Sequence, residues 1–142
     1  MPDSEGAGKF RGGLGLRRDY EFPGETTFTV LADRDKAGPH GLFGGLPGSV
    51  SRYTLTSSTG HGRQARDLGS KTTLQLKPGD VISYRTSGGG GFGPPEERDP
   101  ALVLRDVRDG KVSVERARSV YKVAIDPDSH AVDRSATARL RK

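Results

Sequence analysis

The 142-residue chain contains no cysteine, which excludes disulfides, thiolate chemistry and any zinc or iron–sulfur site built on Cys. Tryptophan is also absent and methionine occurs once. Leu, Ile, Val and Phe together number 29 residues. That is about a fifth of the chain, near the border where apolar burial ceases to offset chain entropy. The fold must be lean. No apolar run approaches the ~18–20 residues of a spanning helix. The opening Met1-Pro-Asp-Ser-Glu-Gly6 lacks the charged-then-apolar order of a secretion signal. A cytoplasmic protein with no membrane association is expected.

What the chain has in quantity is glycine and charge. There are 21 Gly and 9 Pro, without a collagen-like period and below the ~25–30% of low-complexity disorder. Lys and Arg number 23 against 18 Asp and Glu, a formal charge of +5. Arg134, Arg139, Arg141 and Lys142 crowd one end, but the basic excess is small and no aromatic residues alternate with it. This argues against a nucleic-acid binder. The length suits one domain. Residues 1–9 carry no pattern and are expected to be flexible, leaving residues 10–142 as the domain.

Period-2 patterns come first. Leu14 to Phe22 and Thr26 to Ala32 flank a Phe22-Pro-Gly-Glu25 turn and are expected to pair as a hairpin. Ser49 to Thr56 alternates, a Gly/Ser/His-rich loop containing His61 follows, and Lys71 to Leu76 alternates again. Lys77-Pro-Gly-Asp80 has the type II turn signature, because glycine takes the required positive φ cheaply. Val81 to Thr86 reads as the returning strand. Helix grammar then begins. Asp99 is an expected N-cap with Pro100 at the first helical position, and Gly110 is the stop. Ser113 is expected to cap a helix over 114–121, Val123 to Ile125 reads as a short buried strand, and Asp133 is expected to cap a last helix through Leu140. The predicted class is α+β: an antiparallel, β-rich first two-thirds followed by two or three short helices.

Gly88-Gly89-Gly90-Gly91 is the most informative run. Residues free of Cβ let backbone N–H groups face a ligand, and such nests bind phosphate, carboxylate or a developing oxyanion. The same composition also serves a crowded turn, or segments packed too closely for side chains. The run is neither a Walker loop nor a Rossmann fingerprint. Gly41 to Gly48, which includes Gly44 and Gly45, and Gly12 to Gly15 repeat the theme. Arg11, Arg34 and Arg98 stand near these clusters, and a guanidinium beside a nest suits an anion. His40, His61 and His130 have no partner at metal-ligand spacing, so no metal site is expected. No Gly-x-Ser-x-Gly elbow occurs. A self-contained active site is not expected.

Taken together and in order, Gly8-Lys-Phe-Arg11-Gly-Gly-Leu-Gly15, Asp33-Arg34, Gly41-Leu-Phe-Gly-Gly-Leu-Pro-Gly48, Leu76-Lys-Pro-Gly-Asp80, Ser87-Gly-Gly-Gly-Gly-Phe92-Gly-Pro-Pro95 with Arg98-Asp-Pro100, and Val107-Arg-Asp-Gly110 resemble the C-terminal part of the hydantoinase B / 5-oxoprolinase family. Where the family usually has Gly-Asp-Pro after the glycine run, Pro94 stands here in place of the acid. The resemblance implies a piece of an ATP-dependent enzyme that opens cyclic amides such as hydantoin or 5-oxoproline by activating a carbonyl oxygen with phosphate; related members carboxylate ketones. It implies that ATP and magnesium belong to a hydantoinase A-type partner, with no cofactor on this chain. An oligomer including that partner and the remaining hydantoinase B portion is expected. On this reading Arg11, Arg34 and Gly88–Gly91 are candidates for substrate or anion contacts, and Gly44, Gly45, Phe92 and Arg98 for an interface. The alternative is a non-catalytic assembly module of such a complex.

Overall fold

The computed structural model describes residues 1–59, 62–126 and 128–142. The expected loop residue His61 lies outside them. Six strands precede three short helices: β1 Arg17–Glu21, β2 Thr26–Leu31, β3 Arg52–Thr59, β4 Gly62–Leu68, β5 Lys71–Leu76, β6 Val81–Arg85, then α1 Pro100–Arg108, α2 Val114–Ser119 and α3 Arg134–Leu140. A 3-10 turn, Pro95–Glu97, leads into α1. The α+β class is as expected. All pairings are antiparallel, in a four-stranded sheet of order β1-β6-β3-β4 and a two-stranded sheet β2-β5.

The expected β1–β2 hairpin does not form. β1 pairs with β6 from Arg17↔Arg85 to Glu21↔Val81, and β2 pairs with β5 from Thr26↔Leu76 to Leu31↔Lys71. The second register continues the first without a slip, so residues 17–31 and 71–85 form one long antiparallel ribbon that breaks in the middle. At the break the Phe22 N–H donates to Asp80 O at 3.0 Å and the Gly79 N–H to Phe22 O at 2.8 Å. Pro23 and Pro78 remove donors there, so both chains leave one sheet and enter the other together. Gly79 has φ +83° and the Asp80 N–H bonds Lys77 O, as the turn signature requires.

β4 falls where a loop was expected. It is an edge strand with every residue but Leu68 exposed, so it carries no hydrophobic period, while Arg63, Arg66 and Asp67 blunt its open edge. The helix signals behave as read. Asp99, Ser113 and Asp133 side chains accept from the N–H groups of Ala101, Arg116 and Ala136, and Gly110 ends the first helical segment at φ +66°. Val123 to Ile125 makes only one isolated bridge, Ile125↔Val132, in place of the expected strand.

Two small cores result. Leu55, Leu76 and Ile82 are buried among the strands with Phe22, Phe28, Leu68 and Leu74 against them. Val103, Val112, Ala117, Tyr121 and Val123 are buried among the helices, and Ala7 joins them. Residues 4–8, within the segment expected to be flexible, are packed into the fold. Ser4, Glu5 and Ala7 are buried, and the Ser49 N–H donates to Ser4 O. Their small, polar composition reads as disorder, yet small residues are what the neighbouring glycine segments require.

Candidate functional site

Three of the four strands of the large sheet, β1, β6 and β3, adjoin three glycine-rich segments. β1 starts after Gly15, β3 follows Gly48 to Ser51, and β6 ends just before Ser87. As β6 lies between β1 and β3, so Gly88–Gly91 lies at the centre of a backbone web. The Gly6 N–H donates to Gly89 O at 2.7 Å, the Gly89 N–H to Gly13 O at 2.9 Å, the Gly91 N–H to Leu46 O at 2.9 Å and the Leu42 N–H to Gly91 O at 2.9 Å. The Gly88 N–H donates to Ser49 Oγ at 3.1 Å. The bonds reach both passes of residues 4–15 and both passes of residues 39–49. This differs from a sheet, where a strand has two neighbours in one plane.

Missing side chains make such packing possible. A Cβ at Gly88, Gly90 or Gly91 would overlap the carbonyl oxygens of Ser4, His40 and Ala7 respectively. Gly45 packs on Gly91 in the same way, and Gly44, at φ +88°, sits against the Pro94 ring. The close approach these glycines permit is thus between segments of one chain. Gly88, Gly89 and Gly91 spend their N–H groups on the protein's own acceptors, so the run is not a nest opened toward an anion. The second reading of the run, close packing, is the one observed.

The arginines divide. Arg11 Nε and Nη2 lie 2.9 and 3.0 Å from Asp106 Oδ2 and Oδ1, and Arg98 Nη2 lies 2.8 Å from Asp106 Oδ2. Arg98 also donates to Lys9 O, and Arg11 to Gly12 O. Burial alone would raise the Asp106 carboxyl, but the hydrogen bond from Arg11 and the charges of both guanidiniums outweigh it and hold it below the ordinary carboxylate range. The same hydrogen bond raises Arg11. Arg11 is consequently a clamp between the N-terminal segment and α1, not a free anion contact, and the buried Arg98 is an internal tie instead of an interface residue. Arg34, at φ +64°, is exposed, and its side chain has no hydrogen-bond partner among the described residues. It shares no hydrogen-bond partner with Arg11 among the described residues.

A second buried carboxylate went unrecognised in the sequence. Glu5 Oε1 accepts from Arg116 Nε at 2.8 Å and from the Tyr121 hydroxyl at 3.1 Å. Burial and the neighbouring Glu5 charge push the Tyr121 phenol up, so it remains a neutral donor. Asp106 had one legible signal, a lone acid three residues after Val103 on the inward face of α1. Glu5 had none, because its partners lie 111 and 116 residues away.

Phe92, expected at an interface, lies on the surface of the chain. Its ring is half exposed and meets Phe43 and Phe10 at centroid distances of 5.1 and 6.3 Å. Among the described residues, no group of three or more His, Asp and Glu side chains is placed to hold a metal, and no helix is long and apolar enough to cross a membrane.

The sequence model of the Hydantoinase B/oxoprolinase family matches residues 1–95, two-thirds of the chain and all of the web. The chain belongs to the hydantoinase B/oxoprolinase family. It is 41% identical over 98% of its length to an uncharacterized protein of Methanocaldococcus jannaschii, and 36% identical over its full length to the B-type component of a putative D-/L-hydantoinase from a Pseudomonas species. It spans 24% of the length of each. The crystal structure of an ATP-dependent caprolactamase from Pseudomonas jessenii superposes on 99% of the chain with a TM-score of 0.77 at 32% identity, and the chain covers 24% of that protein. The matched stretch contains every segment of the web.

Proposed function

We propose that this chain is the C-terminal structural module of a hydantoinase B-type subunit, within a cytoplasmic, ATP-dependent assembly that opens cyclic amides such as hydantoin or 5-oxoproline. The observation that supports this best is the fate of the groups suited to meeting a ligand. Three of the four amides of the glycine run bond other backbone or a serine, and Arg11 and Arg98 are held by Asp106. Acyl chemistry needs preorganised donors aimed at a developing oxyanion and an acid or base of matched pKa. The web supplies stiffness instead, an interlocked platform from which other parts of the subunit can be positioned.

Hydantoin and caprolactam, the ring amides in the names of the relatives, share the bond to be opened. In such an assembly ATP would supply the phosphate that activates its carbonyl oxygen. The residues of this chain do not fit that nucleotide, since three of the four amides in the run are already donated. ATP and magnesium are assigned to a hydantoinase A-type partner. The test is ATP-dependent hydrolysis of hydantoin and 5-oxoproline by the chain alone and by the complete assembly, with the remaining hydantoinase B portion and an ATP-binding partner. Turnover only by the complete assembly is expected. Turnover by the chain alone refutes the structural role, and no turnover of either ring by the complete assembly refutes the substrate class.

A further inference from the structure

We infer that the aromatic face carrying Phe10, Phe43 and Phe92 is the surface on which the rest of the hydantoinase B-type polypeptide docks. Phe10 is 62% exposed, Phe43 78% and Phe92 46%, and Leu42 beside them is 58% exposed. Apolar residues scattered singly over a surface are ordinary, whereas a contiguous group of rings marks a contact. This group is contiguous, with Phe92 touching both other rings.

The face is held by the web and not by side-chain packing. Phe10 and Phe92 exchange two backbone hydrogen bonds of 3.0 and 2.9 Å, while the Leu42 N–H bonds Gly91 O and the Gly93 N–H bonds Leu42 O. Phe43 has φ +49°, a costly conformation for a bulky residue, and it projects the ring beside Phe92. Presentation on a fixed backbone lowers the ordering cost of association. Lys9 and Glu97, both about half exposed, pair at 3.2 Å close by, a polar rim of the kind that borders apolar contacts.

The occupant follows from size. The Methanocaldococcus and Pseudomonas relatives each devote 24% of their length to the matched region, and a longer chain buries a larger fraction of its surface. An aromatic face exposed on this quarter is a face of the subunit's own interior. Tethering favours that partner further, since a segment of the same polypeptide meets the face at an effective concentration that a separate protein does not reach. The inference rests on the proposed placement of the chain within a longer hydantoinase B-type subunit.

A chimera tests it: the caprolactamase chain with its matching region replaced by this chain. Thermal unfolding is compared for the chimera and the isolated chain, each with and without the double substitution Phe10→Ser/Phe43→Ser, alongside sedimentation of the isolated chain. The expected result is an unchanged midpoint for the isolated chain, because both rings are in solvent, and a chimera whose single transition splits in two. The inference is overturned by a chimera that unfolds identically with and without the substitutions, by two transitions in the unsubstituted chimera, or by equal losses in chimera and isolated chain. An isolated-chain dimer that the substitutions dissolve, with the chimera unaffected, would assign the face to a second copy. Turnover is not read, so absent ring-opening activity bears only on the proposed function.

Discussion

Arg11 closes on Asp106 across 95 residues of sequence, with two parallel N–H to oxygen contacts of 2.9 and 3.0 Å. Such a fork fixes direction as well as distance. Arg98 shares Oδ2 of the same carboxylate with Arg11, so one acid on α1 anchors both the N-terminal segment and the entry to the helix. Only 2% of the Asp106 side chain is exposed, against 7% for Arg98 and 18% for Arg11. The pairing is therefore poorly screened.

Removing the carboxylate leaves two guanidiniums without a counter-charge in a mostly buried place. Asp106→Asn should cost about 3 kcal/mol, the lower end for breaking a buried pair because Arg11 retains some solvent. Urea unfolding followed by far-UV circular dichroism measures this. A midpoint unchanged from the parent protein would show that the clamp contributes nothing.

The same carboxylate sets a pH dependence. Asp106 titrates below its ordinary value of 3.8 in the folded chain, so on acidification the unfolded state takes up the proton first. The stabilisation is complete above the unfolded value and is lost as pH falls through the folded one. Asp19, held by Ser83 and Arg17, and Asp133, held by Ala136 and Ser135, are lowered as well and act in the same direction. Stability should fall below about pH 4, and Asp106→Asn should make that fall shallower. An equally steep loss in the variant would contradict the assignment.

Within the web, single methyl groups should divide the glycines sharply. Gly90→Ala forces a Cβ into the His40 carbonyl oxygen, a backbone atom that cannot swing aside, and should cost about 3 kcal/mol or more. Gly13→Ala has nothing within 4 Å and should change stability by less than about 1 kcal/mol. Thermal melts of the pair check this. Similar midpoints would mean that the web yields easily.

At α3, the Asp133 side chain accepts the Ala136 N–H at 2.9 Å. Asp133→Ala should cost about 1 kcal/mol, and Asp133→Ser should recover most of it. Hydrogen exchange of the first α3 amides gives a local readout. Exchange in Asp133→Ala as slow as in the parent would remove the cap from the account.

Local grammar was legible without coordinates. The caps Asp99, Ser113 and Asp133, the glycine at the Lys77–Asp80 turn and the glycine stop at 110 each depend on partners within four residues, so composition and spacing determined them. The sequence also determined that residues 88–91 had to lie somewhere no side chain fits, and the order of its glycine motifs pointed to the family. It left open whether the bare amides would meet a ligand or one another.

Tertiary structure decided that question, and it decided the pairings. Nothing near Phe22 tells β2 to leave β1 for β5, since the choice is made by Asp80 and Gly79 across the ribbon. β4, exposed along nearly its whole length, has no burial pattern to read. Arg11, Arg98 and Glu5 look like solvated charges until Asp106, Arg116 and Tyr121 arrive from 95, 8 and as many as 116 residues away. The physical reason is the range of the forces involved. Backbone preferences act over one turn of chain, whereas desolvation and close packing depend on whatever the fold brings alongside.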